Sequence, residues 1–76
     1  MNKARRAKIN SIINGLNDLK SDLELVHDEE EETMENMPES MQGSARYEAM
    51  EEACDNMSDA MDALDEAIES LEAVMQ

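Results

Sequence analysis

The fold is decided by residues 47–75, which read YEAMEEACDNMSDAMDALDEAIESLEAVM. Apolar or weakly polar side chains recur there with alternating spacings of three and four, at Tyr47, Met50, Cys54, Met57, Met61, Leu64, Ile68, Leu71 and Met75. An unbroken run through the a and d positions of one heptad frame is typical of a helix that packs against another helix. The pattern predicts a helix over residues 45–75.

A second heptad run starts at Ile9, which takes position a. Apolar residues follow at the successive d and a positions, namely Ile12, Leu16, Leu19, Leu23 and Val26. Between the runs, Pro38 disfavours helical geometry at Met37, Gly43 permits a positive φ, and Ser44 suits a helix N-cap. We therefore expect helices at 3–37 and 45–75 joined by a turn at 38–44. Short connections join antiparallel neighbours, so residues 1–76 are predicted to form one all-α, two-helix hairpin of the coiled-coil type.

Two registers are compatible with this hairpin. The first pairs a with d positions and places Leu23 opposite Met57. The second pairs a with a and places Leu16 opposite Ile68. We prefer the first because antiparallel seams normally pair a with d.

The second helix is apolar over a wider face than a two-stranded seam requires. Four of its five g positions, Ala53, Ala60, Ala67 and Val74, are small or apolar, and the fifth is Arg46. Small residues there permit close approach of a further helix. A single hairpin without large aromatic side chains also has little apolar surface to offset the conformational entropy of folding. These features favour a homodimer in which two hairpins form a four-helix bundle.

The composition excludes several classes of protein. Twenty acidic residues stand against six basic ones, for a net charge of -14, so the surface would repel a nucleic-acid backbone and no direct nucleic-acid binding is expected. No apolar run reaches transmembrane length, so no membrane contact is expected. The single cysteine cannot form an internal disulfide, which favours a cytoplasmic location.

Acidic residues on the second helix follow the same spacing as its apolar seam. The b and f positions form what we call the acidic stripe: Glu48, Glu52, Asp55, Asp59, Asp62, Glu66 and Glu69. Near the turn, the acids meet almost no basic residue, whereas the basic start of the chain is expected to neutralise Glu69 and Glu72. The predicted partner-binding residues are Asp28, Glu29, Glu31, Glu32, Glu48, Glu51, Glu52, Asp55 and Asp59. The alternative is that the acidity serves solubility alone.

No catalytic or metal-binding constellation is predicted. Glu24 and His27 have the spacing of a di-iron ligand pair, but the facing a and d positions carry no acid, so we interpret His27 as a surface residue. Cys54 occupies an a position, and the only candidate base is His27, so a core role is expected for the thiol. The chain is predicted to be non-enzymatic, with no cofactor and no metal.

The opening, Met1 to Ile9 (MNKARRAKI), and the turn, Pro38 to Glu48 (PESMQGSARYE), resemble short acidic helical proteins of phages and prophages of Gram-positive bacteria. Most such proteins have no assigned activity. The resemblance implies a mobile-element setting, and in that setting small acidic proteins often resemble inhibitors of host defence nucleases.

Two functions follow as hypotheses. In the first, the chain is a non-enzymatic inhibitor, for example of a CRISPR effector, that mimics nucleic acid and occupies a basic surface of its target in the bacterial host cell. Carboxylates along a rigid rod favour fast, salt-dependent association with such a surface. In the second, the chain is a structural bundle that self-assembles as a scaffold.

Overall fold

Two long helices packed side by side account for most of the protein. The computed structural model describes residues 1–76, with α1 at Lys3–Glu35, a single 3₁₀ turn at Glu39–Met41, and α2 at Ala45–Val74. The rod measures 59 × 15 × 13 Å and contains no strand. The prediction of an all-α hairpin is confirmed. Neither helix contains an apolar stretch that would reach across a membrane.

Side-chain caps fix where both helices begin. The Asn2 side chain accepts a hydrogen bond from the Arg5 backbone N–H at 2.8 Å, and Ser44 Oγ accepts one from the Tyr47 N–H at 3.2 Å. Each cap satisfies a donor that the first turn of a helix otherwise leaves unpaired. α1 ends at Glu35, before the predicted boundary at residue 37, because the residue preceding Pro38 is driven out of helical geometry.

The interhelical register differs from the preferred one. Lys20 Nζ lies 2.5 Å from Asp65 Oδ1, and Ser58 Oγ lies 3.3 Å from His27 Nε2. In both pairs the two residue numbers sum to 85. The second register, which places Leu16 opposite Ile68, has a sum of 84, so the observed register is close to it. The preferred pairing of Leu23 with Met57 was therefore wrong.

The cause of the different register lies in the connection. After α1 ends, the 3₁₀ turn carries the chain onward, and the reversal comes only at Gly43, whose φ is +91°. A side chain at that φ would be strained, which is why glycine suits the position. The reversal thus lies beyond the midpoint of the connection, and this slides α2 along α1.

α1 also presents a different face from the predicted one. Its buried and half-buried residues are Ile9, Ile13, Leu16, Lys20, Leu23, His27, Glu30, Met34 and Met37. These are a and e positions, so the helix is rotated by about 50° from the a/d seam. Ile13 is only 8% exposed, whereas Ile12, Leu19 and Val26 at d are exposed. On α2 all nine predicted a and d positions are buried or half-buried, so that seam is confirmed.

Candidate protein interaction surface

The predicted partner-binding acids all lie on the surface, in the half of the rod nearer the turn. Every one of the nine is exposed. In the observed register, Asp59 is level with Val26, and Glu48 is level with Met37. Because an α-helix rises 1.5 Å per residue, the nine acids fall within about 17 Å along the rod.

These acids do not all face the same way. On α2, Glu48, Glu52, Asp55 and Asp59 occupy b and f positions and point away from α1, as the acidic stripe requires. On α1, the run from Asp28 to Glu32 passes around the helix, because successive residues are 100° apart. The acidic stripe is the longest ordered row of charge. α1 carries a shorter row at its own b and f positions, Glu24, Asp28, Glu31 and Glu35, and the remaining acids of the α1 run add charge on other sides of the same half.

The basic start of the chain does not neutralise the far end of α2. In the observed register the numbers of residues that lie level sum to 85, so the residue level with Lys8 would be number 77. That is beyond Val74, where α2 ends, and residues 3–8 therefore extend past the end of α2. Lys3, Arg5, Arg6 and Lys8 make no ion pair with any acid of the chain. The expected pairing with Glu69 and Glu72 was wrong, and the basic overhang, as we call residues 3–8, is free.

His27 is part of the interhelical seam, which corrects its interpretation as a surface residue. Its side chain is 14% exposed, with Nδ1 3.1 Å from Asp28 Oδ1 and Nε2 3.7 Å from Glu31 Oε2. Ser58 completes its surroundings from α2. The seven-residue spacing of Lys20 and His27 between Ile13 and Met34 is the signal that could have revealed this polar part of the seam. No group of three or more metal-ligating side chains forms around it.

Cys54 lies in the core, as its a position predicted. It is 6% exposed, and burial raises the pKa of its thiol above the ordinary value of 9.0, with smaller contributions from the charges of Glu30 and Glu31. A thiol that holds its proton is a poor nucleophile. The surroundings of Cys54 therefore suit packing.

The raised pKa of Cys54 predicts alkaline destabilisation. The unfolded chain loses the thiol proton at a lower pH than the folded chain does, so the contribution to stability is full below about pH 9 and decreases above it. The pKa of Lys20 is also raised, mainly by its hydrogen bond to Asp65, which acts in the same direction at higher pH.

Urea unfolding between pH 7 and 10.5 checks this prediction. The free energy of unfolding should fall above pH 9 in the wild type, and Cys54→Ala should make that fall shallower. Equal pH slopes for the two proteins would contradict a buried, protonated thiol.

Comparison with protein families, curated proteins and solved structures finds no match to this chain. The proposals below therefore rest on its residues and their placement.

Proposed function

We propose that the protein is a non-enzymatic inhibitor that binds a basic, nucleic-acid-binding surface of another protein in the cytoplasm of a bacterial host. A defence nuclease such as a CRISPR effector is the class of target that fits. The observation that carries the proposal is the row of carboxylates on α2. Ten acids between Glu48 and Glu72 are all exposed, and all occupy b, e or f positions.

The spacing of these carboxylates supports nucleic-acid mimicry. Ten acids are spread over about 36 Å of helix axis, or one per about 4 Å, and one strand of a duplex carries one phosphate per 3.4 Å. Because the helix is continuous, the charges keep their order without a target to organise them. A basic groove that follows a phosphate backbone would meet a similar linear density of charge.

The balance of charge along the rod favours the half near the turn. No acid of the stripe is in an ion pair on either half. The half near the turn also holds the α1 acids from Asp28 to Glu32, whereas the other half contains the Lys20–Asp65 pair. Uncompensated charge gives the stronger attraction and the faster association with a basic surface. We therefore assign the main contact to this half of the acidic stripe.

The proposal includes a homodimer of hairpins, in the form of a four-helix bundle. The exposure of Ile12, Leu19 and Val26 supports it, because α1 leaves these aliphatic side chains outside the hairpin seam. The same observation favours the second candidate function, a self-assembling scaffold whose acidity serves solubility. The two differ in whether the acidic stripe has a target.

Affinity capture from a Gram-positive bacterial lysate separates the candidates. Immobilised protein is loaded at low salt and eluted with rising salt, in parallel with a variant in which all seven acids of the stripe are replaced by Gln or Asn. Under the inhibitor proposal, the wild type retains nucleic-acid-binding proteins that elute with salt, and the variant does not. If both baits retain only separately added soluble copies of the chain and no nucleic-acid-binding protein, the scaffold is supported.

A further inference from the structure

One side of the hairpin carries aliphatic and small residues from both helices. We call it the apolar face: Ile12, Leu19 and Val26 of α1, with Ala60, Ala67 and Val74 of α2. The opposite side of the hairpin is identified by the contacts between e positions of the two helices, which are Lys20 with Asp65 and His27 with Ser58. In an antiparallel pair the g sides of the two helices adjoin, so the exposed d residues of α1 and the g residues of α2 share the remaining side.

The register brings the members of the apolar face level with one another. The offset that pairs Lys20 with Asp65 places Ile12 beside Val74, Leu19 beside Ala67 and Val26 beside Ala60, to within one residue. All six are exposed, Leu19 at 59%. Each bulky α1 residue thus stands next to a smaller one on α2, which leaves ridges and gaps that a further pair of helices would fill.

The acids of α2 avoid this side, and the one charge of α2 at a g position is Arg46, next to the turn. None of its ten acids occupies a c or g position, and the c positions hold Ala49, Asn56, Ala63 and Ser70. A helix that faced water on this side would be expected to carry some of its charge there. Gly15, at g of α1, leaves open space on the same side, since a Cβ there would meet no atom within 4 Å. Asp22 and Glu29, at the next two g positions of α1, form the charged edge of the apolar face.

The solvent-exposed area of the single chain exceeds that of a typical folded monomer by about the area that one standard interface buries on each partner. The chain exposes 5581 Å², whereas a folded monomer of 8.6 kDa exposes about 4700 Å². The excess is about 900 Å², and a standard interface buries about 800 Å² on each partner. Part of this excess follows from the 59 × 15 × 13 Å rod shape, and one further contact of ordinary size would remove an area of this order.

The distribution of charge along the rod indicates which molecule binds the apolar face and in which direction. A twofold axis at Leu19, the middle of the apolar face, would place residues 3–8 of one copy level with residues 30–35 of the other. The first segment is the basic overhang, with Arg5 at d and Lys8 at g on the side of the apolar face. On the same side of α1 the other copy presents Glu29 at g and Glu32 at c, whereas Glu30 is half-buried in the seam and Glu31 lies beside His27. A parallel arrangement would instead bring the two overhangs together and the two acidic ends together.

We propose that a second copy of this chain docks on the apolar face in the antiparallel direction, with each basic overhang against the acidic end of its partner. This inference deepens the dimer included in the proposed function by naming its surface and direction. The acidic stripe of α2 points away from α1 and stays outside the interface. Dimerisation and target binding through the acidic stripe are therefore separable by mutation, whereas Glu29 and Glu32 of α1, also predicted to bind the target, would lie beside the overhang.

Leu19→Asp tests the surface, with Leu25→Asp as the matched control at an exposed c position, which points away from the hairpin seam and lies about 100° around α1 from position d. By sedimentation equilibrium, the wild type and Leu25→Asp should have twice the 8.6 kDa chain mass. Leu19→Asp should dissociate at least about 100-fold more readily, because it places an unpaired charge in the interface. A monomeric wild type, or equal dissociation of the two variants, would overturn the proposal.

Neutralising the overhang tests the direction and does not depend on whether Leu19→Asp folds. Arg5→Gln and Lys8→Gln together should weaken the dimer about tenfold at low salt, with little effect at high salt. A stronger dimer would mean parallel docking and would overturn the proposed direction. Leu19→Asp should still bind the target, so loss of the dimer with retained target binding would leave the function intact.

Discussion

Replacing Ile13 with alanine is expected to lower the free energy of unfolding by about 2–4 kcal/mol. Ile13 is one of only three buried residues, with Cys54 and Ile68, and its side chain fills the a/e seam of α1. Truncation loses the transfer free energy of the side chain and leaves a gap that a rod with so small a core cannot readily close. Urea unfolding at a fixed protein concentration measures the loss.

Leu25→Ala is the matched control for this prediction. Leu25 is 64% exposed and lies opposite the seam, so its truncation should change the free energy of unfolding by less than about 0.5 kcal/mol. Similar losses at the two positions would contradict the rotation of α1 that places the e positions in the core.

Neutralising the half of the acidic stripe near the turn should have the largest effect on target binding. The change is Glu48→Gln, Glu52→Gln and Asp55→Asn, and we expect an association rate with the target about tenfold lower at low salt, with a shallower salt dependence. The fold should hold or become slightly more stable, because the change removes like-charge neighbours at 48/52, 51/55 and 55/59. Stopped-flow binding and thermal melts measure the two effects.

The matched control uses the same heptad positions two turns beyond Asp55. Asp62→Asn, Glu66→Gln and Glu69→Gln also remove three charges from b, f and b positions, and they leave the Lys20–Asp65 pair intact. This control should reduce the association rate less. Equal losses would mean that total charge governs binding, and no loss from either change would leave the stripe as a solubility device.

The buried face of α2 was predictable because its sequence pattern is compatible with only one buried face. Between Tyr47 and Met75 the a and d positions are apolar or weakly polar, while every b and f position except Ala73 is acidic, so the a/d face is the one that can be buried. α1 offers two solutions, since Ile12 at d and Ile13 at e are adjacent and equally apolar. Which of them is buried depends on the residues of α2 that α1 meets, and that information is not local to α1.

The e positions of α1 show why the seam was misassigned. Lys20 and His27 are polar, which argues against burial when α1 is considered alone. In the hairpin they lie opposite Asp65 and Ser58 and find hydrogen-bonding partners, so their partial burial costs little. The d positions, although more apolar, are left exposed on the apolar face.

The placement of charge depended on the register. The acidic run of α1 and the acidic stripe could be located from the heptads alone, because exposure follows from the frame. The freedom of the basic overhang could not, because it depends on the reversal at Gly43 rather than at the midpoint of the connection. A register shift of a few residues therefore decides whether the basic residues of the overhang lie beside Glu69 and Glu72 or beyond the end of α2.

The central claim is that the acidic stripe and nucleic acid occupy the same surface of the target. Fluorescence anisotropy of a labelled duplex bound to the captured target measures this directly, as unlabelled protein is added at constant ionic strength. We expect the protein to displace the duplex fully, with the Glu48, Glu52 and Asp55 triple variant requiring about tenfold more protein. A ternary complex, in which the anisotropy stays high or rises as the protein binds, would contradict the account.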